Sequence, residues 1–413
     1  MRVDLKLLVF CLCVIALPKM GITLGGGVPL YASLVVGQVF ALSGWVYAVR
    51  YSKVSYSFVS LLFLGVATIV FIYHLGVSLS HGSMNVRGAA RTLFNYLPLT
   101  AIGIVFYVRF GGIDIRSALK YTVIAYYFLL AYAMLQMLFG AEAVAIQYVT
   151  TNFENDFDEV VKKSNVIHRL GGETYKLFGT YQNGNLFSIC LILLAPISLY
   201  FERSLMVKIT AFAILHGVIL YSASSTSYIS LFIIDIIAFL HIRNIRITWA
   251  PLVLIGGGAF VLVGIFHCYG GGCQAASLLS AKLFERDFSV NMRWIKSELW
   301  LGRVSDEPSR ILVGEMSDSV LPIFEVLPLS VVQYYGIIVL ALFYVVITVP
   351  LLKGRFGIYK AGVFAYLITS IGSSGFWLTP TPYVLSWVLG LVYLLGCGGN
   401  SKVKGSVSGV HSL

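Results

Sequence analysis

Between Lys282 and Asp318 the chain places 13 of its 47 charged side chains, 29 basic and 18 acidic in all, so chemistry is sought there first. Arg293, Arg303 and Arg310 lie in this stretch, and Arg169 in an earlier polar one. A guanidinium is a permanently charged planar fork that grips a phosphate through two parallel hydrogen bonds, so these four arginines are candidates for holding a substrate diphosphate. Glu315, Asp318 and Glu325 follow, just before a long apolar run. A carboxylate at an apolar boundary among arginines can act as a general base, because partial burial raises its proton affinity while the arginines keep it ionised. Glu325 and Asp318 are the candidates for that role. Two plainer readings stand beside this one. Acidic groups are favourable near a helix N-terminus through the dipole alone, and basic residues beside a membrane meet lipid phosphates.

The surroundings are those of a folded loop. Phe284, Phe288, Trp294 and Trp300 are interleaved with the charges, and long loops rich in bulky apolar residues are functional more often than they are linkers. Residues 291–300 have helical spacing, with Met292, Ile295 and Leu299 on one stripe and Arg293 and Lys296 towards another. This is the pattern of an amphipathic helix lying in the membrane interface. In the earlier stretch, 142–182, His168, Arg169, Gly171 and Gly172 precede Gly179-Thr180-Tyr181-Gln182-Asn183-Gly184-Asn185. That run either supplies a turn and a helix cap or aims backbone N–H groups at an anionic ligand together with Arg169.

The elements that position these residues are apolar. The chain is 58% hydrophobic and 11% charged, with a mean hydropathy of +0.86. A soluble protein has roughly 25% charged residues, so this is a polytopic membrane protein. Its net charge of +11 is spread over short loops without a dense basic run, which argues against a nucleic-acid partner. About twelve spans of membrane length are expected, at 5–18, 28–49, 54–76, 93–110, 117–141, 183–201, 205–221, 225–241, 249–267, 326–352, 359–378 and 380–397. These make an all-α membrane domain over 1–397, followed by a Gly/Ser-rich tail at 398–413. With the N-terminus inside, 16 basic residues fall in short cytoplasmic loops and tails, as the positive-inside rule asks. The loops 142–182 and 268–325, holding 14 of the 18 acidic residues, then lie together on the extracytoplasmic face, with both termini cytoplasmic.

Within the spans, Asp235 needs a partner or water, with Arg243 in reach. His74, His216 and His267 are expected to be packed or hydrogen-bonded rather than ligands. His81, Arg87 and Arg91, in a short outer loop, meet headgroups or extend an anion site. Cys268 and Cys273 either close a small disulfide or remain thiols. No Cys/His group has zinc-like spacing, and neither metal nor cofactor is expected.

On the Gly179–Asn185 run, the long outer loop between late helices, the Arg303-to-Gly314 spacing and the stretch Glu325–Ile338, the chain resembles the O-antigen polymerase and O-antigen ligase superfamily of bacterial surface-polysaccharide enzymes. Ligases of that superfamily typically carry His where Glu325 stands, which favours the polymerase. The resemblance implies a membrane-embedded, GT-C-like, inverting and metal-independent glycosyltransferase in the bacterial inner membrane. It would join polyprenyl-diphosphate-linked oligosaccharide repeat units into O-antigen, capsule or exopolysaccharide on the outer face. Membrane lipids, a chain-length regulator and a flippase are the partners it implies. An O-antigen ligase and a lipid-linked oligosaccharide flippase or other transporter are the alternatives.

Overall fold

The computed structural model describes residues 4–23, 29–80, 86–150, 177–181, 183–222, 225–243, 300, 302–314, 327–354, 356–370 and 375–397. Apart from a short antiparallel hairpin, β1 (Gly21–Thr23) with β2 (Pro29–Tyr31), these residues are almost entirely helical. In order the main helices are α1 (Leu5–Phe10, continuing as a π-helical segment, Cys11–Ala16), α2 (Ala32–Arg50), α3 (Ser55–Ser80), α4 (Val86–Thr100), α5 (Gly103–Phe110), α6 (Ile115–Phe139), α7 (Gly184–Phe201), α8 (Leu205–Ser222), α9 (Ser225–Ile242), α10 (Ser309–Val313), α11 (Leu327–Leu352), α12 (Ala361–Thr369) and α13 (Thr381–Cys397). Among the described residues, seven helical segments are long and apolar enough to cross a membrane: 32–50, 55–77, 93–110, 115–139, 184–201, 205–222 and 327–352. Four shorter apolar helices, at 5–16, 226–242, 358–369 and 381–397, match further expected spans. The expected span 249–267 lies outside the described residues, as do Cys268, Cys273 and the tail 398–413. The protein is therefore an all-α, membrane-embedded helical bundle.

Burial ranks the helices. Every residue from Thr381 to Tyr393 of α13 is buried, and on α7 so is nearly everything from Gly184 to Ser198. Helices apolar all round belong in the centre. The peripheral α2 instead turns Val35, Val39, Leu42, Val46 and Val49 outward, at helical spacing, with Val46 69% exposed. A continuous stripe of exposed β-branched and leucine side chains is unfavourable in water and suits lipid chains.

Contacts sort the helix termini into two ends. At one, Tyr51 stacks on Phe110, Arg109 lies over the Tyr393 ring, the Tyr127 hydroxyl donates to Glu202 and Lys360 donates to the Leu351 carbonyl. This basic end carries many of the residues assigned by charge to the cytoplasm. Lys360 departs from that expectation in one respect. It is fully buried, with its ammonium capping the carbonyls at the end of α11, rather than exposed in a loop. At the other end, Thr180 Oγ1 donates to the Ala16 carbonyl and the Leu327 N–H to the Ser370 carbonyl.

Two interruptions inside the bundle are satisfied locally, as backbone groups in a membrane must be. Between α4 and α5 the chain turns after Pro98. There the Leu97 carbonyl accepts from Gln38 Nε2 at 3.2 Å and the Thr100 carbonyl from Trp45 Nε1 at 2.8 Å. Gln38 also holds the Thr100 hydroxyl and the Tyr383 phenol. α2 and α5 approach so closely that a Cβ on Gly44 would stand 1.8 Å from the Gly103 carbonyl oxygen, so only glycine fits. The second interruption, at Gly336 in α11, positions the candidate site.

Candidate functional site

Helix α11 is two helices joined at Gly336, whose φ of 80° and ψ of 172° break the helical path. Positive φ is a glycine conformation because it brings no Cβ into the backbone. Against this break lies the described part of the charged loop, Trp300 and residues 302–314. Trp300 and Val304 bury themselves against Val332 of α11, with Ile311, Leu329 and Leu340 around them. Residues 302–306 form a helical turn, Pro308 begins the next, α10, and Gly314 ends it at φ 75°. His74 of α3 then fixes this end of the loop. Its Nε2 lies 2.9 Å from the Val313 carbonyl oxygen, and because a carbonyl only accepts, Nε2 carries the proton.

Beneath the break lies an aromatic layer. Tyr335 stacks on Trp377 at 6.0 Å, Tyr334 meets the same indole edge-on at 5.7 Å, and Trp377 Nε1 donates to Ser330 Oγ at 2.6 Å. The Tyr335 hydroxyl and Gln333 Oε1 are buried and have no hydrogen-bond partner among the described residues. Buried polar atoms of this kind are the sort that ordered water or a ligand group satisfies.

Of the expected site residues, Arg303 and Arg310 are described, and both stand half-buried on the docked segment. Arg310 is already engaged. Its Nε and Nη2 both lie 2.9 Å from Glu307 Oε2, with Arg310 28% and Glu307 59% exposed. An exposed pair of this kind contributes at most about 1 kcal/mol and yields easily to a more highly charged anion. Arg293, Asp318, Glu325 and Arg169 lie outside the described residues, as do residues 291–299 of the expected amphipathic helix.

The Gly179–Asn185 run behaves as a structural fastening. Gln136 of α6 uses both ends of its amide on one residue: Nε2 donates to the Gly179 carbonyl at 3.2 Å, and Oε1 accepts from the Gly179 N–H at 2.8 Å. Tyr181 OH donates to the Ile15 carbonyl, and Thr180 and Tyr181 are wholly buried. Asn183 caps α7 by accepting from the N–H groups of Asn185 and Leu186. The N–H groups of Gly179, Tyr181, Asn185 and Leu186 are taken up in bonds of this turn and cap, while Arg169, on which the anion reading also rests, lies outside the described residues.

Asp235 meets His216 of α8 at 3.2 Å and not Arg243. Sequence reasoning did not pair these two, although the available signal was a polar side chain within each apolar span; for His74 it expected a packed or hydrogen-bonded group, as found. No family model matches the chain, and neither does any curated protein or solved structure.

Proposed function

We propose that this protein is a membrane-embedded glycosyltransferase that polymerises polyprenyl-diphosphate-linked oligosaccharide units on the outer face of the bacterial inner membrane. The observation that carries this reading is the rigid docking of an arginine-bearing loop onto a broken apolar helix, at the end of the bundle opposite the basic one. A lipid-linked diphosphate needs an apolar flank for its chain and fixed cations for its charge, and this junction offers both.

In the proposed reaction an acceptor sugar hydroxyl attacks the anomeric carbon of the donor. The new carbon–oxygen bond forms on the face opposite the breaking bond to diphosphate, which inverts the configuration. The hydroxyl proton passes to a carboxylate, Glu325 or Asp318. Polyprenyl diphosphate leaves with the bonding pair, its charge met by Arg293, Arg303, Arg310 and Arg169. Arg303 and Arg310 are the two whose backbone is fixed by the packing described above.

The test incubates purified, reconstituted protein with lipid-linked repeat units and resolves the products by size. A ladder supports the polymerase. A single transfer to lipid A-core would make it a ligase, and intact donor moved across the bilayer would make it a transporter.

A further inference from the structure

The His216–Asp235 pair is independent of the docked loop and of the proposed transfer. His216 lies about 16 Å along α8 from its start at 1.5 Å per residue, so the pair sits within the thickness of the membrane and away from either end. Among the described residues it also lies on the outside of the bundle. The side chains of His216 and Asp235 are 33% and 37% exposed, and Phe232 and Phe239, three before and four after Asp235, are 60% and 55% exposed. Leu220, four after His216, is 63% exposed. A carboxylate and an imidazole on a lipid-facing apolar surface are costly, and such residues mark proton or ion sites.

Their hydrogen bonds determine how many protons the pair holds. His216 Nδ1 lies 2.9 Å from the Phe212 carbonyl oxygen, an atom that only accepts, so Nδ1 is protonated. Nε2 lies 3.2 Å from Asp235 Oδ2. A bare Nε2 facing a bare carboxylate oxygen would be two acceptors in contact, so one further proton sits between them. Imidazolium with carboxylate, and imidazole with carboxylic acid, are two placements of that one proton, and both leave the pair neutral overall.

Lys208 and Tyr221 of α8 and His241 of α9 share the helices of the pair, and four further ionisable groups on the packed helices are engaged elsewhere. Tyr127 of α6 bonds Glu202, Cys190 of α7 meets Thr381, Tyr228 of α9 bonds the Leu220 carbonyl and Lys360 caps Leu351. The phenols of Tyr126 and Tyr366 are buried, and among the described residues they have no hydrogen-bond partner, the pair included. The second carboxylate oxygen, Asp235 Oδ1, is buried and likewise has no partner among the described residues.

We propose that His216 and Asp235 form a proton-binding site within the membrane, holding one exchangeable proton between imidazole and carboxylate. The ligand is the proton itself.

The experiment is nitrogen-15 NMR of histidine-labelled protein in liposomes, with His216 assigned by His216→Gln, together with proton counting by a pH indicator after an acid jump. Expected in the wild type are a protonated Nδ1 and a proton shared at Nε2. In Asp235→Asn, whose amide N–H donates to Nε2, the imidazole should become the neutral Nδ1–H form and the protein should exchange one proton fewer. A bare Nδ1 in the wild type overturns the proposal without recourse to any variant. Equal proton counts in wild type and Asp235→Asn, with both folded by thermal melting, overturn it as well.

Discussion

Gly314 and Gly336 are locked against each other's neighbours by backbone alone. A Cβ on Gly314 would stand 2.5 Å from the Tyr334 carbonyl carbon, and one on Gly336 would stand 1.8 Å from the Leu312 carbonyl oxygen. Both residues have positive φ. The end of the charged loop and the break in α11 therefore fit through two missing side chains, with the His74–Val313 hydrogen bond beside them.

Gly336→Ala should accordingly separate the loop from α11. This positive-φ, extended-ψ conformation alone costs an L residue roughly 1–3 kcal/mol, and the obstructing atoms are backbone, which cannot rotate away. The expected result is a clearly lowered melting temperature of the purified protein and loss of any glycan transfer. A melting curve and activity matching the wild type would show that the two backbones do not touch.

The Gln136–Gly179 pairing makes a different demand. Gln136→Leu leaves both the N–H and the carbonyl of Gly179 buried without partners, at about 1–3 kcal/mol for each such group. Gln136→Glu keeps the acceptor and loses the donor, so it should destabilise by less at acid pH than at neutral pH, where a buried charge is added. Thermal melts of the two variants across pH decide this; the absence of any loss in Gln136→Leu would remove the fastening role.

Lys360 is expected to act as a helix cap rather than as a topology signal. Lys360→Met keeps the length and apolar stem but leaves the Leu351 carbonyl without its donor, a loss of about 1–3 kcal/mol. Cysteine-accessibility mapping should show unchanged orientation in this variant. Inversion of the loops would mean that the charge, and not the cap, is what matters.

On the basic end, acid should loosen two carboxylate anchors. The Ser117 hydroxyl, then the Ser117 and Arg116 N–H groups, hold the Asp114 carboxyl below its ordinary range, and the Ser204 N–H, followed by the Tyr127 hydroxyl and Arg203 N–H, do so for Glu202. Both folded-state values are depressed, so the stabilisation is present above the ordinary carboxylate range and is lost as pH falls through the folded values. Asp114→Ala should remove roughly 1 kcal/mol of N-cap stabilisation from α6 at neutral pH and less in acid. A pH-independent difference between the wild type and Asp114→Ala would contradict this assignment.

For the proposed transfer, Arg303→Lys keeps charge and loses the planar fork, so ladder synthesis should fall strongly at unchanged protein level. Glu307→Gln releases Arg310 from its exposed partner and should change stability by under about 1 kcal/mol. Glu325→Gln should bind donor and form no polymer. Normal ladders from Arg303→Lys would place the diphosphate away from the docked segment, and normal ladders from Glu325→Gln would move the base to Asp318.

What the sequence by itself determined is whatever depends on local composition. Membrane embedding, the apolar helices, the crowding of charge before Asp318 and the capping chemistry of Asn183 all act over a few neighbouring residues, where hydropathy and turn preference decide. Contacts between distant residues were decided only by the tertiary structure. Gln136 and Gly179 are 43 positions apart, and His74 and Val313 are 239 apart. Nothing in either local sequence names the other partner. The same holds for Asp235, whose nearest arginine in sequence is Arg243 but whose partner in space is His216, because α8 and α9 lie side by side. Gly336 reads in sequence as one small residue in an apolar run. It becomes a break only because the Leu312 carbonyl occupies the space where a side chain would stand, an exclusion that helix propensity does not encode.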